Sequence, residues 1–309
     1  MSEADRRGQA AGTRAGAHAS PRPGPGAAAP VPDRVLWVNG RLCGGADAAI
    51  SLFDRGARDG EGIFETLRVY GGQPFQWERH LERLVMSAAE LGFPVPPSPA
   101  ALLDALACVL EANRLEDAVA RLTVTRGVPG GRPPRTGAWL EAEPLAARLW
   151  SGARRGSASA VISKTPFEPG ALGRHKTTSR LAYHLAREEA RAARADEALL
   201  VAADGELLEG AVSNLFVVLH GEALTPPLAR GILPGIARAS TLALCGALGI
   251  RAREARITTS DLDRAEEAFL TNSVQEVVPL AAVDGRALPG IETGSRLREA
   301  YHVAAARSA

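Results

Sequence analysis

The chain has 309 residues, 46% of them apolar, and is long enough to bury one large or two medium hydrophobic cores. Its 36 basic and 35 acidic residues give a net charge of +1, which argues against a nucleic-acid or membrane-surface partner. Three scattered cysteines, without a Cys-x-x-Cys pair or a metal-spaced His/Asp/Glu cluster, argue against a metal or dithiol site and favour a reducing compartment, so we expect a cytoplasmic protein.

The composition divides the chain into three segments. Residues 1–33 are rich in Ala, Pro, Gly and Arg and poor in large apolar side chains, so we predict a disordered tail there. A small mixed domain over 34–150 and a larger one over 158–309 are predicted to follow, with an Arg/Gly/Ser-rich connection around 148–157. The predicted fold class is α+β, and no apolar run approaches the roughly 20 residues that cross a bilayer.

Hairpin signals and hydrophobic periodicity define the elements of the first domain. Asn39-Gly40 and Gly71-Gly72 are typical hairpin turns. The predicted strands cover 34–38, 62–70 and a half-buried 120–126, the predicted helices cover 77–91 and 99–114, and a Gly/Pro-rich loop covers 127–137.

The second domain also combines the hydrophobic patterns of strands and helices. Asp204-Gly205 is a hairpin turn, and Ser260 with Asp263 indicates the N-cap of a short helix. The predicted strands cover 160–163, 197–201, 206–208, 214–219 and 268–271, and the predicted helices cover 179–193, 235–248 and 293–306.

Lysine is almost absent from the chain. Lys164 and Lys176 are its two lysines, and every other basic side chain is arginine. An amino group that must lose its proton and attack an aldehyde cannot be replaced by a guanidinium, whose pKa is too high. Lys176 lies between a glycine-containing loop and a predicted helix, and Glu209 follows about 30 residues later. Taken singly, a surface lysine and a strand-end surface acid explain these two positions equally well.

Two further segments have the form of phosphate-binding turns. The run Gly-Ile-Leu-Pro-Gly-Ile at 231–236 enters a predicted helix, so the amides of Ile236 and Ala237 are expected at its N-terminus, where free N–H groups attract phosphate. The run Thr-Asn-Ser at 271–273 follows an apolar strand. Each is equally compatible with an ordinary polar turn.

Together these segments resemble the class IV aminotransferases, which are fold-type IV enzymes that use pyridoxal 5′-phosphate (PLP). The resemblance runs from about residue 34 to 282, with matching segments in family order at 54–56 with 62–68, 80–84, 125–127, 175–177, 209–216, 231–236 and 269–276. It implies two mixed α/β domains of the D-amino-acid aminotransferase-like architecture and a homodimer whose partner loop completes each active site.

The resemblance also implies a role for each matching residue. Lys176 would be the Schiff-base lysine and proton carrier, and Glu209 would pair with the pyridine nitrogen, which keeps the ring an electron sink. The remaining implied residues are Arg83, Ile236, Ala237 and Ser273 for the cofactor phosphate, and Arg126, Asn272 and, more weakly, Arg68 for the substrate. Family members often carry Thr where this chain has Ala237.

Three activities are compatible with this resemblance. The run at 269–279, with Asn272, is similar to aminodeoxychorismate lyases, which eliminate pyruvate from 4-amino-4-deoxychorismate to give 4-aminobenzoate for folate biosynthesis, and this lyase is the favoured hypothesis. The alternative is a branched-chain or D-amino-acid aminotransferase, although Leu181 stands where branched-chain enzymes usually have Tyr. A non-catalytic relative that acts as a binding protein is the second alternative.

Overall fold

The computed structural model describes residues 34–130 and 135–308. The tail predicted at 1–33 therefore lies outside the described residues, as does part of the loop predicted at 127–137. In the described part of the chain, no helix is both long and apolar enough to span a membrane.

In the first half of the chain, the described residues form six strands and three α-helices. Its elements are β1 (Val35–Val38), β2 (Arg41–Gly44), α1 (Arg55–Arg58), β3 (Gly62–Tyr70), β4 (Gln73–Pro74), α2 (Trp77–Glu90), α3 (Pro99–Asn113), β5 (Ala118–Thr125) and β6 (Gly137–Pro144). The strands make one antiparallel sheet in the order β2-β1-β6-β5-β3-β4. The helices α2 and α3 pack on this sheet around a core that includes Leu67, Leu84, Leu106 and Leu122, each at most 2% exposed.

The second half forms a larger, mixed sheet. Its elements are α4 (Ser151–Arg155), β7 (Ala158–Ile162), α5 (Leu181–Ala192), β8 (Glu197–Val201), β9 (Leu207–Gly210), β10 (Asn214–Leu219), β11 (Glu222–Thr225), α6 (Ile236–Ala247), β12 (Ala252–Glu254), α7 (Thr259–Asp263), β13 (Glu267–Asn272), β14 (Glu276–Val283), β15 (Arg286–Ala287) and α8 (Glu292–Ser308). The strand order is β12-β11-β10-β13-β14-β7-β8-β9, and β15 pairs with β14. The stacked rings of Phe216 and Phe269, 4.8 Å apart, lie in the core beside α6 and α8.

Several sequence predictions need correction. The strand predicted as half-buried at 120–126 lies between β3 and β6, so Thr123 and Thr125 are fully buried. The strands β6 and β14 were missed, because the Gly/Pro-rich run hides the start of β6 and Pro279 is unusual inside a strand. The N-cap of α7 is Thr258, in a capping box with Asp261, rather than Ser260. The predicted connection at 148–157 contains the short helix α4.

The segment that carries Lys176 is tied to the start of β3. The amide of Phe64 donates to the carbonyl of Lys176 at 2.8 Å, and the amide of Thr178 donates to the carbonyl of Gly62 at 2.8 Å. A β-carbon built on Gly62 would lie 2.7 Å from the Thr178 hydroxyl oxygen, which is itself held by a bond to the carbonyl of Gly60. Glycine at 62 is therefore what lets the lysine segment approach this strand.

The first prediction concerns this approach. We expect Gly62→Ala to lower the free energy of unfolding by about 1–3 kcal/mol, because the added methyl group displaces Thr178. Gly44→Ala is the matched control, since nothing lies within 4 Å of a β-carbon there, and it should stay within about 0.5 kcal/mol of the wild type. Urea unfolding of both variants is the measurement, and equal stability of the two would contradict the close packing.

Candidate active site

One cavity gathers most of the residues singled out from the sequence. Lys176 and Glu209 both line it, so the two side chains face the same cleft. The other predicted residues in its lining are Arg83, Ile236, Ala237, Asn272 and Ser273. Among the described residues, Arg68 and Arg126 are not part of this lining.

Lys176 is held where its amino group loses much of its hydration. Its Nζ lies 4.9 Å from the ring centre of Phe64. Burial, together with the positive charges of Arg180 and Arg83, lowers the pKa of Lys176 to about 7 against an opposing effect of Glu65. An amine with this pKa is largely available as a nucleophile and proton acceptor near neutral pH.

The pKa of Glu209 is shifted in the opposite direction, also because of burial. It lies at the end of β9, only 3% exposed, and burial raises its pKa to about 8 despite the opposing effect of Arg180. Its Oε2 accepts from the amide of Leu233 at 3.2 Å and the side-chain amide of Asn214 at 3.4 Å. Its Oε1 is buried and has no hydrogen-bond partner among the described residues.

The N-terminus of α6 forms a second wall of the cavity. Gly235 is the N-cap, and the amide of Ala239 makes the first bond of the helix, to the carbonyl of Gly235 at 3.0 Å. The amides of Ile236 and Ala237 precede that bond, so helix geometry leaves them available to an anion. A β-carbon at Gly235 would lie 1.8 Å from the Asn214 side-chain oxygen, so glycine is required at this corner.

A buried network that the sequence did not reveal connects the walls of the cavity. Glu65 on β3 accepts two bonds from Arg83, at 2.8 and 2.6 Å, and contacts His80 Nδ1 at 2.7 Å. Arg83 also donates to the carbonyl of Pro234 at 2.9 Å, and His80 Nε2 lies 3.4 Å from the hydroxyl of Ser273. One carboxylate thus orients the cation beside the α6 turn and is linked through His80 to the turn after β13.

The electrostatics of this network are consistent with its geometry. Burial raises the pKa of Glu65, but the charge and hydrogen bonds of Arg83 and the bond from His80 outweigh it, so the pKa falls to about 2. Burial lowers the pKa of His80. His80 is buried at 1% exposure, and its position three residues before Arg83 on α2 is the sequence signal that places the two on one face of the helix.

Two arginines near Lys176 were also missed. Arg180 donates to the carbonyl of Ala211 at 2.7 Å and stacks 3.7 Å from the ring centre of Tyr183. Arg121 lies 3.7 Å from the ring centre of Phe64, the same ring that Lys176 approaches. Arg180 lies four residues after Lys176, and Arg121 lies on β5. No role was assigned to either from the sequence.

The predicted substrate residues are placed differently from one another. Arg126 is engaged by the carboxylate of Glu61 at 2.5 Å and by the carbonyls of Leu91 and Gly92. Arg68 pairs with Glu276 at 2.7 Å, behind the turn that follows β13. Asn272 does line the cavity, and its side-chain oxygen accepts from the amides of the two residues 274 and 275, at 2.9 and 2.7 Å.

The cavity fits the PLP implied by the resemblance. Glu209 Oε1 and Thr271 Oγ1 are buried polar atoms without partners among the described residues, and polar atoms in such positions are normally paired. Glu209 would pair with the ring nitrogen, while Arg83, Ser273 and the amides of Ile236 and Ala237 would hold the phosphate. The hydroxyl that family members often have at 237 is replaced here by a methyl group.

Comparison with known proteins identifies the class of enzyme and then the family. The fold is that of PLP-dependent transaminases: the branched-chain aminotransferase of Thermoproteus uzoniensis, solved with norvaline, superposes with a TM-score of 0.78 at 29% identity, over 87% of this chain and 93% of that one. The model of amino-transferase class IV matches residues 62–283, and the chain belongs to this family. Its cofactor is PLP, and a structural neighbour was solved with pyridoxamine 5′-phosphate.

Two relatives illustrate the range of the family. The D-alanine aminotransferase of Bacillus licheniformis is 32% identical over 82% of this chain and 90% of its own length. The branched-chain-amino-acid aminotransferase of Salmonella typhimurium is 31% identical over 81% of this chain and 85% of its own length. These names favour the aminotransferase alternative over the lyase that the sequence motifs suggested.

The second prediction concerns Lys176. Its folded pKa of about 7 lies below the ordinary value near 10.5, so the buried ammonium opposes folding most strongly below pH 7, and this penalty fades as pH rises toward 10.5. Lys176→Met should therefore stabilise the cofactor-free protein by about 1–3 kcal/mol at pH 6 and by much less at pH 10. Urea unfolding at both pH values measures this, and a gain independent of pH would contradict it.

The third prediction concerns Glu65. Its folded pKa of about 2 lies below the ordinary 4.5, so its pairing stabilises the protein above pH 4.5, and this stabilisation is lost as pH falls toward 2. Glu65→Gln leaves Arg83 buried without its carboxylate and should cost about 3–5 kcal/mol at pH 7.

The matched control for this change is Glu188→Gln, which breaks an exposed pair with Arg191 and should cost at most about 1 kcal/mol. Both variants are measured by urea unfolding at pH 7 and pH 3. A loss for Glu65→Gln no larger than that of the control would show that the buried network does not have the importance assigned to it.

Proposed function

We propose that the protein is an aminotransferase that moves the amino group of an amino acid to a keto acid. The observation that carries this proposal is the pair formed by the half-buried Lys176 and the buried Glu209, which line one cavity together with the first residues of α6. The names of the relatives support transamination, and none of those given above is a lyase.

The residues divide the work as follows. When bound, PLP supplies an electron sink that stabilises negative charge at the substrate carbon. Lys176 Nζ, with its pKa lowered to about 7, would accept a proton from the substrate carbon as a general base and donate it again as a general acid. Glu209 would hold a proton at the ring nitrogen, and Arg83, fixed by Glu65, would anchor the phosphate.

Cationic side chains around Lys176 favour a substrate that carries a carboxylate. Arg121 has no carboxylate within ion-pair distance among the described residues, and it approaches the same Phe64 ring as Lys176. Arg180 donates to a backbone carbonyl, and no carboxylate lies within ion-pair distance of it among the described residues. We therefore assign carboxylate binding to these two arginines in place of Arg126, whose guanidinium is already engaged by Glu61 and two carbonyls.

The loop before α1 supports the homodimer expected from the resemblance. Leu52 and Phe53 are 83% and 67% exposed, which is unusual for adjacent large apolar side chains. Ile50 and Val128 add further exposed apolar surface. We propose that a second copy of the chain covers this surface.

The fourth prediction tests the reaction. Incubation of the PLP-loaded enzyme with L-leucine or D-alanine should convert the cofactor spectrum to that of the pyridoxamine form and release one equivalent of keto acid. Lys176→Ala should slow this at least about 100-fold, because the proton carrier is lost. Lys164→Ala, the matched control on an exposed lysine, should stay within about twofold of the wild type.

The same preparation distinguishes the lyase. Aminodeoxychorismate is supplied in place of the amino acid, and 4-aminobenzoate and pyruvate are measured. Formation of 4-aminobenzoate, together with an unchanged cofactor spectrum in the presence of a panel of L- and D-amino acids, would replace the proposed aminotransferase with the lyase.

A further inference from the structure

A second cavity, separate from that of Lys176, lies between the first-half sheet, α4 and α8. We call it the arginine cleft after the four arginines in its lining, Arg68, Arg154, Arg155 and Arg298. These side chains come from β3, the short helix α4 and the C-terminal helix α8. None of them has a role in the proposed transamination.

The cleft is rich in cations that lack carboxylate partners. The chain as a whole is nearly neutral, and many of its arginines lie beside an acid, as Arg148 does beside Glu143. Within the described residues, by contrast, Arg154, Arg155 and Arg298 have no carboxylate within 4.0 Å. The acids in the lining are Glu276 and Glu299, so arginine outnumbers acid by four to two.

Backbone contacts hold two of these arginines in place without neutralising them. Arg298 donates to the carbonyls of Gly156 and Ala153 at 3.1 and 2.9 Å, and Arg154 donates to the carbonyl of Ala146. A carbonyl fixes the position of a guanidinium but leaves its positive charge unpaired. The remaining N–H groups are therefore pre-positioned donors, which reduces the entropy lost when an anion binds.

Further donors line the same cleft. Arg68 pairs with Glu276 through one nitrogen, while its Nε is buried and has no hydrogen-bond partner among the described residues. Ser157 and Ser295 contribute hydroxyl groups, both half-buried. Forked guanidinium donors with nearby hydroxyls match the tetrahedral oxygens of a phosphate group better than the single plane of a carboxylate.

We propose that the arginine cleft binds a small multivalent phosphate anion, such as a pyrophosphate or a phosphate ester. The position of the cleft gives this site a route to the active site. Gln275 and Glu276 line the cleft, while Asn272 and Ser273, in the same turn, line the cavity of Lys176. An anion in the cleft would therefore contact the residues that directly follow Ser273 in the chain.

The fifth prediction uses inorganic pyrophosphate as the probe. Titration of the PLP-loaded enzyme, followed by isothermal calorimetry at low and moderate salt, should show one saturable site per chain that weakens as salt rises. Arg154→Ala with Arg155→Ala should reduce this affinity at least 10-fold. Both side chains are exposed, so the double variant is expected to fold.

Controls separate the cleft from other anion sites. Arg253→Ala removes an exposed arginine of β12 and should leave the affinity unchanged. The cofactor absorbance is recorded throughout, because an unchanged spectrum shows that pyrophosphate has not displaced the PLP phosphate. No saturable binding at millimolar pyrophosphate, equal weakening in Arg253→Ala, or loss of the cofactor band would overturn the proposal.

Discussion

The start of β3 is the constraint on which the site depends. Its backbone holds the Lys176 segment through bonds at Gly62 and Phe64, and the next side chain, Glu65, holds Arg83 and His80. Consecutive residues of a strand point to opposite faces. One short stretch therefore contacts the lysine segment through its backbone and Phe64, and holds Arg83 beside the α6 turn through Glu65. The sheet of the first half therefore positions both Lys176 and Arg83, although Glu209 and the α6 turn belong to the second half.

Burial lowers the pKa of Lys176 and raises the pKa of Glu209, and both shifts favour the neutral form of the side chain. Lys176 falls to about 7 and Glu209 rises to about 8, because the low-polarity cavity disfavours charge on either. A neutral lysine is the form that can act as a nucleophile. Glu209 would need its negative charge to pair with a protonated ring nitrogen, and a cation beside its Oε1, which has no partner among the described residues, would favour that charge. Burial thus favours the neutral, nucleophilic form of Lys176, whereas the charged form of Glu209 would depend on a bound cationic partner.

Much of the fold follows from local sequence signals, and much of the site does not. The extent of β3, the glycine turns after β1 and β3, and the helices α2 and α6 follow from periodicity and turn chemistry, which act over a few residues. Lys176 stood out because lysine is rare in the chain. Glu65, Arg121 and Arg180 did not, because their roles arise from contacts across strands or between distant segments. Arg126 was predicted to bind substrate, and its contacts with Glu61 and two carbonyls, which join distant segments, could not be predicted from the sequence.

Membership of the class IV aminotransferases establishes the cofactor, while the attachment point rests on the geometry around Lys176. Borohydride reduction of the PLP-loaded protein, followed by proteolysis and mass spectrometry, tests that attachment most directly. The account predicts a phosphopyridoxyl group on the peptide containing Lys176 and an unmodified peptide containing Lys164. Modification of Lys164, or of neither lysine, would contradict it.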